Sequence, residues 1–151
     1  MSTDSPLQSY VEAVKATMRD RPDLNALIEG EEHKDEDRVK ALEEALDWLN
    51  STPPLTEYTF VDCPFRRYLI DLSIIRLLRS LLYLLERNAL EVSDPGGVAA
   101  TKTQRDYIRR TIQELRAEVL PELKEAKKAR ALMDSIAYSG SVGSSYYGNN
   151  W

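Results

Sequence analysis

An all-α fold, a helical bundle with one long C-terminal helix, follows from three observations. Apolar residues recur at helical spacing in three separate stretches. Charged residues make up 30% of the chain, the usual share for exposed helix faces. Proline and glycine clusters fall between the periodic stretches rather than inside most of them. At 151 residues the chain can build one core.

Leu7, Tyr10, Val11, Val14 and Met18 define a first helix over about 6–19, with Pro6 at its start. Pro22 opens a short second helix that Gly30 ends. An acidic run, Glu31 to Asp37, then leads into a stripe of Val39, Leu42, Leu46 and Leu49, flanked by Ala45 and Trp48. Asp35 or a neighbour caps this helix, and Asn50-Ser51-Thr52-Pro53-Pro54 stops it. Residues 55–61 alternate loosely, as a short strand or an extended arm lying across the body. A central helix over about 64–88 is apolar on nearly all sides. Ser73, Arg76, Ser80, Tyr83 and Arg87 mark a narrow polar stripe on it, with Asp71 and Arg79 outside that stripe. Those charges break up the most apolar segment, 68–85, too often for a membrane span.

Asp94-Pro95-Gly96-Gly97 reads as a turn, which predicts a small β-hairpin or loop near 90–103. A long helix over about 104–136 follows, with Ile108, Ile112, Leu115, Val119, Leu123, Ala126, Met133 and Ile136 on one side. Pro121 is expected to kink or split it. Residues 138–151 hold Ser, Gly, Asn, Tyr and Trp with no charged side chain, and are expected as an extended, flexible tail beyond a 1–137 helical domain.

The residues announce little chemistry. One Cys and one His make neither an internal disulfide nor a Cys/His zinc site. Cys63 is expected as a small buried apolar residue and His33, among acids, as exposed. The run 31–37 lacks the Asp-x-Asp-x-Asp-Gly spacing of a calcium loop. Gly96-Gly97 lacks the Lys-Ser/Thr of a phosphate loop. Glu32/Asp35 and Glu44/Asp47 each set two acids three apart, a form that resembles the magnesium sites of all-α nucleotide pyrophosphohydrolases. No basic phosphate pocket follows them nearby. No catalytic, cofactor-binding or metal residue is therefore assigned, and the chain is read as non-enzymatic.

Charge divides unevenly. Residues 1–62 carry 15 acids and 6 bases, while residues 63–151 carry 10 acids and 14 bases. The overall charge of -5 argues against coating nucleic acid as the main role. The uneven distribution favours copies meeting acidic face to basic face. On the long helix Arg105, Arg109, Arg110 and Arg116 form a basic patch continued by Lys124, Lys127 and Lys128, read as a subunit interface. In the tail Tyr138, Tyr146, Tyr147 and Trp151 are residue types that anchor interfaces, so the tail is read as a partner-docking segment.

Three stretches resemble the helical neck proteins of tailed bacteriophages, the head-to-tail adaptors below the portal ring. Asn25-Ala26-Leu27-Ile28-Glu29-Gly30 leads through the acidic patch into the 39–49 helix and on to Asn50-Ser51-Thr52-Pro53-Pro54-Leu55-Thr56-Glu57-Tyr58-Thr59. The apolar helix ends in Glu86-Arg87-Asn88-Ala89-Leu90, followed by Val92-Ser93-Asp94-Pro95-Gly96-Gly97-Val98. The basic-acidic helix then runs into the Gly/Ser/Tyr tail. The resemblance implies a structural virion protein, assembled in the host cytoplasm, forming a homo-oligomeric ring, commonly twelvefold, between portal and tail. It implies a C-terminal segment docked on the portal protein, contacts to tail or neck proteins, and DNA only as passing cargo, without a membrane or cofactor. Another helical phage assembly protein (a scaffold, chaperone or minor baseplate part) is the alternative, and the magnesium-dependent hydrolase a more distant one.

Overall fold

A computed structural model describes the chain over residues 5–19, 33–89 and 95–143, with side chains over 5–19, 33–87 and 102–137. Four helices make up this part: α1 (Pro6–Met18), α2 (Asp35–Ser51), α3 (Arg66–Ala89) and α4 (Pro95–Gly143). No strand occurs among the described residues. The expected helix over 22–30 lies outside them.

Helix α1 starts where Ser5 accepts the Gln8 N–H on its hydroxyl and Pro6 takes the first helical position. It stops at Arg19, in the left-handed region at φ 54°, whose N–H returns to the Ala16 carbonyl. Helix α2 carries Asp35, Glu36 and Asp37 in its first turn, where carboxylates oppose the positive end of the helix dipole. The Asp37 carboxylate also accepts the Lys34 N–H at 3.2 Å.

Past α2 the chain forms the extended arm, one of the two forms expected for it. Asn50 organises that arm. Its amide donates to the Tyr58 carbonyl and its side-chain oxygen accepts the Tyr58 N–H, at 2.9 and 3.0 Å. One side chain thereby supplies the pair of bonds that a neighbouring strand would make. A turn follows in which Asp62 accepts from the Thr59 hydroxyl and N–H. Phe60 then packs on Tyr10, ring centres 5.6 Å apart, and Phe65 meets Tyr58 edge-on at 5.7 Å.

The core joins Val11 and Val14 of α1, Leu42, Ala45 and Leu49 of α2, Leu69, Leu72 and Ile75 of α3, and Ile108, Ile112, Val119 and Leu123 of α4. Helix α3 is the hub, packed against the other three. Ser73, expected on its polar stripe, is fully buried and donates to the Ile70 carbonyl at 2.7 Å. That bond turns a polar side chain inward at little cost. Arg66 fastens α3 to α1 by lying 4.5 Å from the Tyr10 ring centre and donating to the Ser9 carbonyl and hydroxyl.

Helices α3 and α4 run antiparallel: Arg109 reaches Glu86 near the end of α3, and Glu118 and Glu122 reach Arg67 near its start. Helix α4 differs from expectation at both ends. It begins at Pro95, so 95–103 is helical rather than a hairpin. Proline fits the first turn of a helix, where its missing N–H is not needed. It also continues through 138 to Gly143, past the expected start of the extended tail, and Pro121 does not split it. At 49 residues it spans about 74 Å, at roughly 1.5 Å per residue. Residues 90–94 and 144–151 lie outside the described part.

Candidate functional site

Two surfaces stand out, and both reach the end of the bundle where α2 stops. That end is fixed by Lys127. Its side chain is 2% exposed, and its ammonium donates to the carbonyls of Leu49, at 2.7 Å, and Thr52. These carbonyls close α2, where the helix dipole places negative charge and leaves acceptors without intrahelical partners. A cation from α4 thus caps α2 across the interior. Burial pulls the Lys127 ammonium below its ordinary pKa, and the nearby Cys63 thiol opposes that shift. Cys63 is half-buried, and burial chiefly raises its own pKa. Lys127 therefore does not extend a surface basic patch: it turns inward, while Lys124 and Lys128 stay exposed.

The first surface is the α4 overhang. Val119, Leu123 and Lys127 face the body, and every described residue from 128 to 137 is exposed. Met133 and Ile136, expected in the buried stripe, are 68% and 61% exposed, and Leu132 is 62%. The apolar period continues after the partner helix has ended. Lys128 pairs with Glu125 at 2.8 Å, and Arg130 with Asp134 at 3.2 Å, both within the helix and exposed. Such pairs contribute only a few tenths of a kcal/mol, ~0.3–0.5.

The second surface is the outer flank of α2, where Asp35, Glu36, Asp37, Glu43, Glu44 and Asp47 are all exposed and Lys40 is the exposed cation. A groove of about 660 Å³ lies at its C-terminal end, between Asp47, Asn50 and Ser51 on one side and Leu55, Thr56 and Glu57 of the arm on the other. Leu55 is 77% exposed there.

The four arginines read as an interface divide. Arg109 holds Glu86 at 2.9 Å and Asp106 at 3.6 Å within the chain. Arg116 lies 5.4 Å from the Trp48 ring centre, which Arg76 also approaches at 5.0 Å, so the indole draws α3 and α4 onto α2. Arg105 is half-buried, and Arg110 is exposed. Tyr138 sits on the backbone of α4, whereas Tyr146, Tyr147 and Trp151 lie outside the described residues.

The acidic pairs separate too. Glu44 and Asp47 share a groove of about 540 Å³ with Trp48, Ser51 and Arg76, and Arg76 approaches Glu44 at 3.8 Å. Asp35 is bound to Arg38, whose side chain is fully buried, and Glu32 lies outside the described residues. Among the described residues no group of three or more ligands is placed to hold a metal ion. His33, expected as exposed, is 8% exposed and lines a groove with Asp37, Tyr83, Leu84 and Arg87 beside the C-terminal half of α3.

Another cluster joins α3 to α4. Arg67 stands 3.7–3.9 Å from Asp71, Glu118 and Glu122. Partial burial raises the Asp71 carboxyl above its usual pKa, Glu118 and Glu122 push the same way, and Arg67 opposes them.

Of these features the sequence displayed the acidic flank of α2. It hid the roles of Lys127 and His33, because linear spacing places neither against the element it packs on. A lysine four residues beyond Leu123 and eight beyond Val119, on the buried face, was the available signal. No helix among the described residues is long and apolar enough to cross a membrane. No protein-family model, curated protein or solved structure matches the chain.

Proposed function

We propose that this chain is a structural virion protein, a head-to-tail adaptor that forms a ring between the portal and the tail of a bacteriophage. The observation that carries the reading is the α4 overhang: Leu132, Met133 and Ile136 stand exposed on a helix that has outrun its own bundle. Apolar side chains presented on a preformed helix suit docking into a protein groove. The resemblance of the 25–59, 86–98 and 104–151 stretches to phage neck proteins supplies the kind of assembly.

In this reading the α1–α3 body is a wedge of the ring and α4 is its long strut. The residues from 138 onward reach the portal, with Tyr138, Tyr146, Tyr147 and Trp151 as the anchoring aromatics. The acidic flank of α2 faces neighbouring protein or the passing DNA, which it repels rather than binds. The role is mechanical: the ring prolongs the channel and gives the tail a surface to join.

The test is loss of the gene in a phage that encodes the chain. Lysates should then hold heads and finished tails that remain separate, and supplying the chain in trans should join them. Fully tailed, infectious particles formed without the chain would contradict the reading.

A further inference from the structure

We infer that the occupant of the acidic groove at the C-terminal end of α2 is the α4 overhang of a second copy of this chain. The inference deepens the adaptor reading and rests on its ring, since it names the surfaces through which neighbouring copies hold one another.

Shape is the first argument. The groove opens beside Asn50 and Ser51, and Lys127 fixes α4 against Leu49 and Thr52 at the same end of the bundle. From that point α4 continues as a helix to Gly143, a further 16 residues or about 24 Å. Residues 128–137 are exposed throughout, so the overhang leaves its own groove uncovered. Each copy therefore carries one protruding helix and one open groove at the same end. Such a pair of unlike surfaces lets each copy give a helix to the next, the kind of contact that closes rings.

Chemistry is the second argument. The groove is lined by Asp47 and Glu57 with no cation lining it among the described residues, and Leu55 projects at its rim. The overhang presents Lys128 and Arg130, with Lys124 at its root and Asp134 as its acid between 128 and 137. Their internal pairs with Glu125 and Asp134 are exposed and weak enough to exchange for an intermolecular partner. Leu132 and Ile136, four apart, form one apolar ridge with Met133 beside it, and Leu55 is its counterpart on the groove. Opposite charges flanking an apolar contact set the direction of docking as well as its strength.

The experiment uses the full chain and measures mass by light scattering from low to high micromolar concentration. The wild type should rise above the monomer mass as concentration increases. Lys128→Glu with Arg130→Glu should weaken association by about tenfold or more, as should Asp47→Lys with Glu57→Lys. The four changes together should restore it. All four positions are exposed, so helical content checks that each variant folds. A second arm pairs Leu55→Cys with Ile136→Cys and reads disulfide-linked multimers under oxidation, against each single variant. A wild type that stays monomeric at every concentration overturns the contact, as does a four-fold variant no better than either pair. Copies that associate as described, in a chain absent from the phage neck, overturn the adaptor reading and leave the contact standing.

Discussion

Lys127 is the residue on which the arrangement of α2 and α4 turns. Its ammonium satisfies two carbonyls at the end of α2, and no water-exposed route replaces it, since the side chain is 2% exposed. Lys127→Met keeps the length of the side chain and removes the charge. It should leave those acceptors unpaired at a cost of roughly 1–3 kcal/mol each, read as a large fall in thermal midpoint. A midpoint unchanged by the substitution would show that the cap contributes nothing. Asp71 gives a test with the opposite sign. Its carboxyl binds a proton more tightly in the fold than in the unfolded chain, so stability falls as pH climbs through the raised pKa. Asp71→Asn should therefore be more stable than the wild type at neutral pH. The advantage should disappear in acid, where the wild-type carboxyl is protonated in both states, and denaturant titrations across that range would show it. Neither residue's role was legible from the sequence. A lysine among Lys124 and Lys128 reads as solvated, and only the approach of α2 turns it inward. His33 misled for the same reason: acidic neighbours in sequence say nothing about what packs on it in space.

At the scale of elements, helical periodicity carried most of the fold. The start of α1 and both ends of α2 were readable because each has a local cause: Pro6, the acidic first turn, and the Pro53-Pro54 stop. The segment 95–103 was not, because Asp-Pro-Gly-Gly serves equally as a turn and as the start of a helix with proline in its first turn. Burial on α4 was readable as far as Leu123 and then diverged. The period persists through Met133 and Ile136, but periodicity alone does not tell where the partner helix ends. This divergence separates the buried part of α4 from its exposed end. A chain with Leu132, Met133 and Ile136 replaced by Gln should thus keep its thermal midpoint within a few degrees, because these side chains are 62%, 68% and 61% exposed. It should lose association between copies. A collapse of the midpoint in calorimetry would place the overhang in the core.

For the whole molecule, the uneven charge seen in the sequence becomes an arrangement. The acidic half contributes the outer flank of α2, while many of the later basic residues face inward or pair within the chain, as Lys127, Arg109 and Arg116 do. Exposed bases remain along α4, at Lys102 and Arg110 as well as at Lys124, Lys128 and Arg130. The proposed adaptor role joins this geometry to the likeness to phage neck proteins read from the sequence alone. The most direct measurement is cryo-electron microscopy of intact particles of a phage that encodes the chain. The expected density is a ring at the junction of portal and tail into which the four-helix body fits, with α4 as its long strut and its overhang against a neighbouring copy. A junction whose density is fully explained by other proteins, with this chain elsewhere or missing, would contradict it.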